Sequence, residues 1–291
     1  MTDSVPGRLT VSRATLDDWQ VVSGWAADEG WNPGLRDGPS FFAQDPEGFF
    51  IGRLGDEADG AGEPVSAISV VNYDELYAFL GFYLVRPDQR GRGYGLATWR
   101  TALAHAGKRT IGLDGVVAQQ DNYRRSGFEL AHRTIRYVGS LSGGGPRPAR
   151  VLPVEAAGLR AITAYDAASY PADRPRFLES WLTAPGHRAL ARIVDGTITG
   201  YGVLRPAHGA LRVGPLFADT RADAEELFDA LTAEVDDTPV VIDVPETQPH
   251  AVALAEARGM KPTFPTARMY TGPVREMAAE RVFGVTTLEL G

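Results

Sequence analysis

The stretch VRPDQRGRGYGLATWRTAL, Val85 to Leu103, holds the residues best suited to chemistry. Gly91, Gly93 and Gly95 alternate with Arg90, Arg92 and Tyr94, and an apolar helical pattern follows. Glycines at the mouth of a helix let successive backbone N–H groups converge on one locus, and the positive helix end adds to them. The stretch is therefore built to receive an anion, with Arg90 and Arg92, and Arg124 or Arg125, able to add charge-assisted bonds. Neither common nucleotide loop is present. There is no GxxxxGK[ST] run, and the GxGxxG pattern fails because Leu96 and Thr98 stand where its last glycine belongs. Other chemistries are excluded by composition. The absence of cysteine removes disulfides, thiolate metal sites and thiol nucleophiles. His105, His132, His187, His208 and His250 show no metal-ligand spacing, so no metal is expected, and no GxSxG elbow occurs.

The elements that must position this loop can be read from pattern. A chain of 291 residues with 44% hydrophobic and 23% charged residues suits two globular domains. The net charge of −8 and the lack of a basic stripe argue against nucleic acid as a partner. No apolar run approaches a membrane span, and the first residues do not read as a signal peptide, so no membrane partner and a cytoplasmic location are expected. A Gly/Ser/Pro-rich stretch before the midpoint reads as a linker. The expected organisation is an N-terminal domain over 1–140, a linker over 141–149, a second domain over 150–273, and a tail over 274–291 with a possible extra strand. The first part reads β-α-α-β-β-β-α-β-α-β, with Asp17 as a plausible cap of the first helix. The second part replays that order, and Gly127-Phe128 and Gly259-Met260 close corresponding helices. An internal duplication follows. The copies differ where it matters: RGRGYG in the first is ADTRAD in the second, so only the first can present bare amides to an anion.

The run Arg90-x-x-Gly93-x-Gly95, after Val85-x-Pro87 and with Tyr123 four residues before Gly127-Phe128, resembles motif A of the GNAT N-acetyltransferase superfamily and its surroundings. By motif the resemblance covers the first half, and by pattern the second, which would be a degenerate GNAT-like copy. It implies an α/β fold of the α+β mixed-sheet kind in two tandem GNAT-like domains. The anion is then the pyrophosphate of coenzyme A, met by Arg90, Gly91, Arg92, Gly93, Tyr94 and Gly95, while Tyr83, Leu84 and Val85 pair with the pantetheine arm as an added strand. Tyr123 matches the family's general acid, and a phenol can protonate a departing thiolate. Where the family carries an asparagine seven residues earlier this chain has Val116, and Gln119, Gln120 or Asn122 is expected to take over. The base stays open among Asp74, Glu75 and Glu29. Trp31, Asn32 and Asp37 in the roof of the acceptor site, with Asp28 and Glu29, and Tyr165, Asp166, Arg174 and Trp181 of the second copy, are expected around a cationic amine.

The resulting expectation is an N-acyltransferase that uses acetyl-CoA and acts on a small-molecule primary amine by direct transfer in a ternary complex. The alternatives are a protein N-terminal or lysine acetyltransferase, and a non-catalytic acyl-CoA-binding sensor. The chain is expected to be a monomer or homodimer.

Overall fold

The structure, a computed structural model, describes residues 8–55, 62–141 and 148–291. Residues 142–147 of the expected linker lie outside the described residues. The first half runs β1 (Leu9–Arg13), α1 (Leu16–Asp28), α2 (Asp37–Gln44), β2 (Phe49–Leu54), β3 (Glu63–Asn72), β4 (Tyr77–Val85), α3 (Tyr94–Ala106), β5 (Thr110–Val116), α4 (Gln120–Arg125) and β6 (Glu129–Ser140). The second repeats it as β7 (Val151–Pro153), α5 (Leu159–Asp166), α6 (Pro175–Thr183), β8 (Arg188–Val194), β9 (Thr197–Ala207), β10 (Ala210–Ala218), α7 (Arg221–Thr232), β11 (Pro239–Pro245), α8 (Pro249–Ala257) and β12 (Lys261–Tyr270). A short β13 (Val282–Gly284) follows.

Local chemistry explains these elements. α1 is closed by a capping box in which the Thr15 hydroxyl accepts from the Asp18 amide and the Asp18 carboxylate accepts from the Thr15 amide. The cap is therefore Thr15 and not Asp17, because only Thr15 has the extended backbone that turns its side chain over the first turn. Trp19, Val22 and Ala26 fall on one face of α1 and are buried. Gly127 and Gly259 both have positive φ, 88° and 72°, and end their helices identically.

The strands form one sheet in the order β1-β2-β3-β4-β5-β12-β6-β11-β10-β9-β8-β7, with β13 on β10. The two halves are interleaved at its centre: β12 of the second half lies between β5 and β6 of the first, and β6 lies between β12 and β11. Alternate residues face opposite sides. On one side Trp19, Phe41, Phe79, Phe177, Trp181 and Phe217 share a core drawn from both halves. On the other side α3 and α4 cover the first half through Trp99, Tyr123 and Phe128, and α7 and α8 cover the second.

Candidate functional site

β4 and β5 pair in parallel only from Tyr77–Thr110 to Leu80–Leu113 and then separate. A bulge accompanies the separation. The β3–β4 register slips between Ala67 and Ser69, and Phe82 takes a positive φ of 48°. Among the described residues, the side of Gly81–Val85 that faces β5 is thus left without a ladder partner. A cavity opens in this wedge, lined among others by Trp31, Gly81, Tyr83, Tyr123, Phe264 and Glu289.

Tyr123 reaches the cavity from α4. Its ring packs between Trp99 at 6.0 Å and Phe128 at 6.4 Å, and a methyl group at Gly115 would come within 2.3 Å of it, so β5 needs glycine there. Burial, with Tyr83 nearby, pushes the phenol up to about 12. No described residue hydrogen-bonds its hydroxyl, so the proton is held and is free to be given to a bound group.

The glycine loop leads from the wedge to α3. Gly91 and Gly93 have φ of 78° and 84° with open space around them, so their role is conformational. Gly95 has a different role: a side chain there would strike the Tyr83 hydroxyl and Val85 at 2.8 Å. Gly93 caps α3 with no side-chain hydrogen bond, which leaves the first-turn amides open. At the matching place in the second half the Thr220 hydroxyl accepts from the Asp223 amide and caps α7. The second copy satisfies its own helix end, and the first does not.

The wedges differ in the same sense. β10 and β11 pair in parallel from Leu211 to Val213 and then part, as β4 and β5 do. Here the gap is filled by β13, whose Gly284 and Val282 pair with Leu216 and Phe217, the counterparts of Tyr83 and Leu84. The chain then continues toward the first wedge. Val285 donates to the Asp243 carbonyl, the Tyr73 and Tyr170 hydroxyls donate to the Leu290 carbonyl, and Leu288 and Glu289 reach the cavity. Gly214 and Gly81 admit this segment at the two wedges, since a methyl would meet the Thr286 carbonyl oxygen at 2.4 Å and that of Glu289 at 2.1 Å.

Of the residues expected to bind the acceptor, only Trp31 lines the cavity. The Asn32 side chain pairs with the His208 backbone, donating to its carbonyl and accepting from its amide, both at 3.0 Å. Asp37 is buried against Arg205 and the Gly34 amide. Asp166 pairs with Arg174 at 2.7 and 2.9 Å and accepts from Tyr201, inside the second half. Tyr165 donates to Asp219 at 2.8 Å, away from the cavity. Each of these groups is paired with another protein group, and none of them lines this cavity.

The expected bases are likewise elsewhere. Asp74 accepts from the Leu76 and Tyr77 amides at the far end of β4, where it holds the β3–β4 turn, and Glu75 is exposed beside it. Glu29 pairs with Arg90, and Arg90 also donates to the Val85 carbonyl at 3.0 Å, so this arginine braces the loop. Arg92 is exposed, and Tyr94 half-buried, at the loop tip. Asn122 is exposed on α4 and exchanges hydrogen bonds with Gln119 and Arg125. Among the described residues no group of histidine and carboxylate side chains could hold a metal ion.

Two features escaped the sequence reading. Glu289 lines the cavity while only 3% exposed, and neither carboxylate oxygen has a hydrogen-bond partner among the described residues. Nothing in TTLEL distinguishes it from a solvated glutamate. Gly81 and Gly214 did carry a signal, since GFYLV and GPLFA place glycine identically in the two copies.

The comparisons agree with this geometry. A model of the acetyltransferase (GNAT) family matches residues 14–128, and a model of the acetyltransferase (GNAT) domain matches 162–284. Holothin acyltransferase of Pseudoalteromonas sp. (strain SANK 73390) is 35% identical over 284 residues, covering 97% of this chain and 94% of that protein. Among solved structures, a candidate acetyltransferase from Pyrococcus horikoshii superposes with a TM-score of 0.79 at 22% identity, over 100% of this chain and 99% of that one. A tandem GNAT protein from the clavulanic acid biosynthesis pathway superposes with a TM-score of 0.59 at 17% identity, over 91% and 99%.

Proposed function

The chain belongs to the GNAT acetyltransferase family, and on that premise we propose that this acyltransferase moves an acetyl group from acetyl-CoA to a primary amine of a small molecule in one ternary complex. One observation carries the reading: β13 lies on Leu216 and Phe217 in the second wedge, whereas among the described residues the same backbone edge at Tyr83 and Leu84 has no ladder partner and ends beside Tyr123. An extended pantetheine arm matches what β13 does by hydrogen bonding in the other half. The uncapped start of α3 suits the pyrophosphate, with Arg92 at the loop tip.

Direct transfer follows from the side chains. The chain has no thiol to carry an acyl group. Tyr123, buried and protonated, can donate to the thiolate as the carbon–sulfur bond breaks. A small acceptor is favoured over a protein because Phe264 of β12 and Leu288 and Glu289 of the tail close the cavity beside Trp31. Holothin, named for the Pseudoalteromonas relative, is the first acceptor to try.

The test is calorimetric titration of the full chain with acetyl-CoA, then thiol release across holothin, polyamines, amino acids and aminoglycosides. Binding followed by thiol release with at least one amine supports the reading. Binding with no release from any amine favours a sensor, and release only with peptides favours a protein acceptor.

A further inference from the structure

Glu289 is a buried carboxylate with no hydrogen-bond partner among the described residues, in a wall of paired ones. Around it lie Arg136 of β6, Arg212 of β10, Asp243 of β11 and Asp37 of α2, with Arg205 of β9 beside Asp243 and Asp37. Arg136 and Arg212 both bind Asp243, and Arg205 binds Asp37. Arg136 and Arg212 also donate to the Trp31 carbonyl, at 2.7 and 3.1 Å. Every ionic group of this cluster except Glu289 is thus tied to another. A turn holds Glu289 in place: the Thr287 hydroxyl accepts from the Glu289 and Leu290 amides at 3.1 and 2.8 Å, and the Leu290 carbonyl is pinned by two tyrosines. A buried carboxylate with two bare oxygens is costly unless something meets it.

We infer that Glu289 is the catalytic residue that receives the acceptor: the substrate ammonium docks on its carboxylate, which takes the proton before the nitrogen attacks the thioester. This rests on the acyltransferase reading above. The residue lies in the tail, outside both regions matched by the family models, at 14–128 and 162–284. The protons balance. The ammonium gives one proton to Glu289, and the freed lone pair forms the nitrogen–carbon bond. The carbon–sulfur bond breaks as Tyr123 gives its proton to sulfur, and the second proton leaving nitrogen restores Tyr123. Glu289 later returns its proton to water. Burial raises the Glu289 carboxyl above the usual glutamate range, with Asp37 and Asp243 acting in the same direction and Arg212 and Arg136 against them. A base so raised is better matched to an amine's proton at neutral pH.

The test compares full-length wild type, Glu289→Gln and Glu289→Asp, with holothin and a panel of primary alkylamines as probes. Acetyl-CoA affinity, measured by calorimetry, and the thermal midpoint are followed in parallel. The expected result is a loss of about a hundredfold or more in kcat/KM for Glu289→Gln, with acetyl-CoA affinity within about twofold and loss of an acid limb seen in the wild type. Glu289→Asp should keep the limb and recover part of the rate. If no amine is acylated, the same comparison is read on slow acetyl-CoA hydrolysis, where water needs the same base. Failure of wild type to bind acetyl-CoA would sink the donor reading itself. Glu289→Gln with near wild-type rates and an unchanged pH profile, even at a lowered thermal midpoint, would make Glu289 a structural counter-ion and overturn the inference.

Discussion

Tyr123 and Glu289 meet at the cavity from opposite sides of the sequence, and each is set by burial. For Tyr123, raising a phenol favours its neutral form, so the donor proton is present below about pH 12 and is lost only above it. Wild-type thiol release should therefore show no descending alkaline limb from this group between pH 8 and 10. Tyr123→Phe should lower kcat by about a hundredfold while leaving acetyl-CoA affinity unchanged, as read by steady-state thiol release and calorimetry. An unchanged kcat would remove the proton-donor role and leave the binding site standing. The place of Tyr123 on α4, just before the Gly127 stop, was legible in the sequence because that distance is local. Asp37 was misread for the opposite reason: its partner Arg205 is 168 residues away, and no local pattern distinguishes a paired carboxylate from a free one. Glu289 was invisible on the same ground, since its burial is made by strands from both halves.

At the scale of elements, the duplication supplies its own control. The order of helices and strands was legible twice over, because alternation, helical spacing and glycine stops are all short-range signals. The pairing at the centre of the sheet was not. β12 sits against β5 and β6 through contacts more than a hundred residues apart in sequence, and nothing in either strand names its neighbour. The loop before α3 and the cap of α7 show what one substitution class does: Thr220 spends its hydroxyl on the helix end that Gly93 leaves open. Gly93→Ala should raise the acetyl-CoA dissociation constant by about tenfold and cost about 1 kcal/mol of stability, because a side chain is strained at φ of 84°. Calorimetry and denaturant unfolding measure the two effects separately. Tight binding by this variant would show that the loop's positive φ is not needed for the anion.

Across the whole molecule, the second half has become a support for the first. Its wedge is closed by β13, its helix end is capped by Thr220, and its tail reaches the first cavity. Calorimetry should therefore find one acetyl-CoA per chain; two equivalent sites would contradict the plugged wedge. The halves are also locked electrostatically. Arg136 from the first half holds Asp243 from the second at 2.8 and 3.2 Å, Arg212 joins them, and both arginines bind the Trp31 carbonyl. Burial by itself would raise the Asp243 carboxyl, but the two arginines outweigh it and hold the group at about 2. A lowered carboxyl contributes stability above its unfolded value near ~4, and that contribution disappears as pH falls toward 2. Asp243→Asn leaves two buried guanidinium groups without their carboxylate, so it should cost about 3–5 kcal/mol, seen as a fall in the thermal midpoint at pH 7. The gap between variant and wild type should narrow as the pH is lowered from about 5 to 2, since protonation then does in the wild type what the substitution does at pH 7. Because Trp31 hangs from the same arginines, acylation by Asp243→Asn should fall as well. A variant that melts early yet retains full kcat/KM below its midpoint would separate the lock between the halves from the shape of the acceptor site.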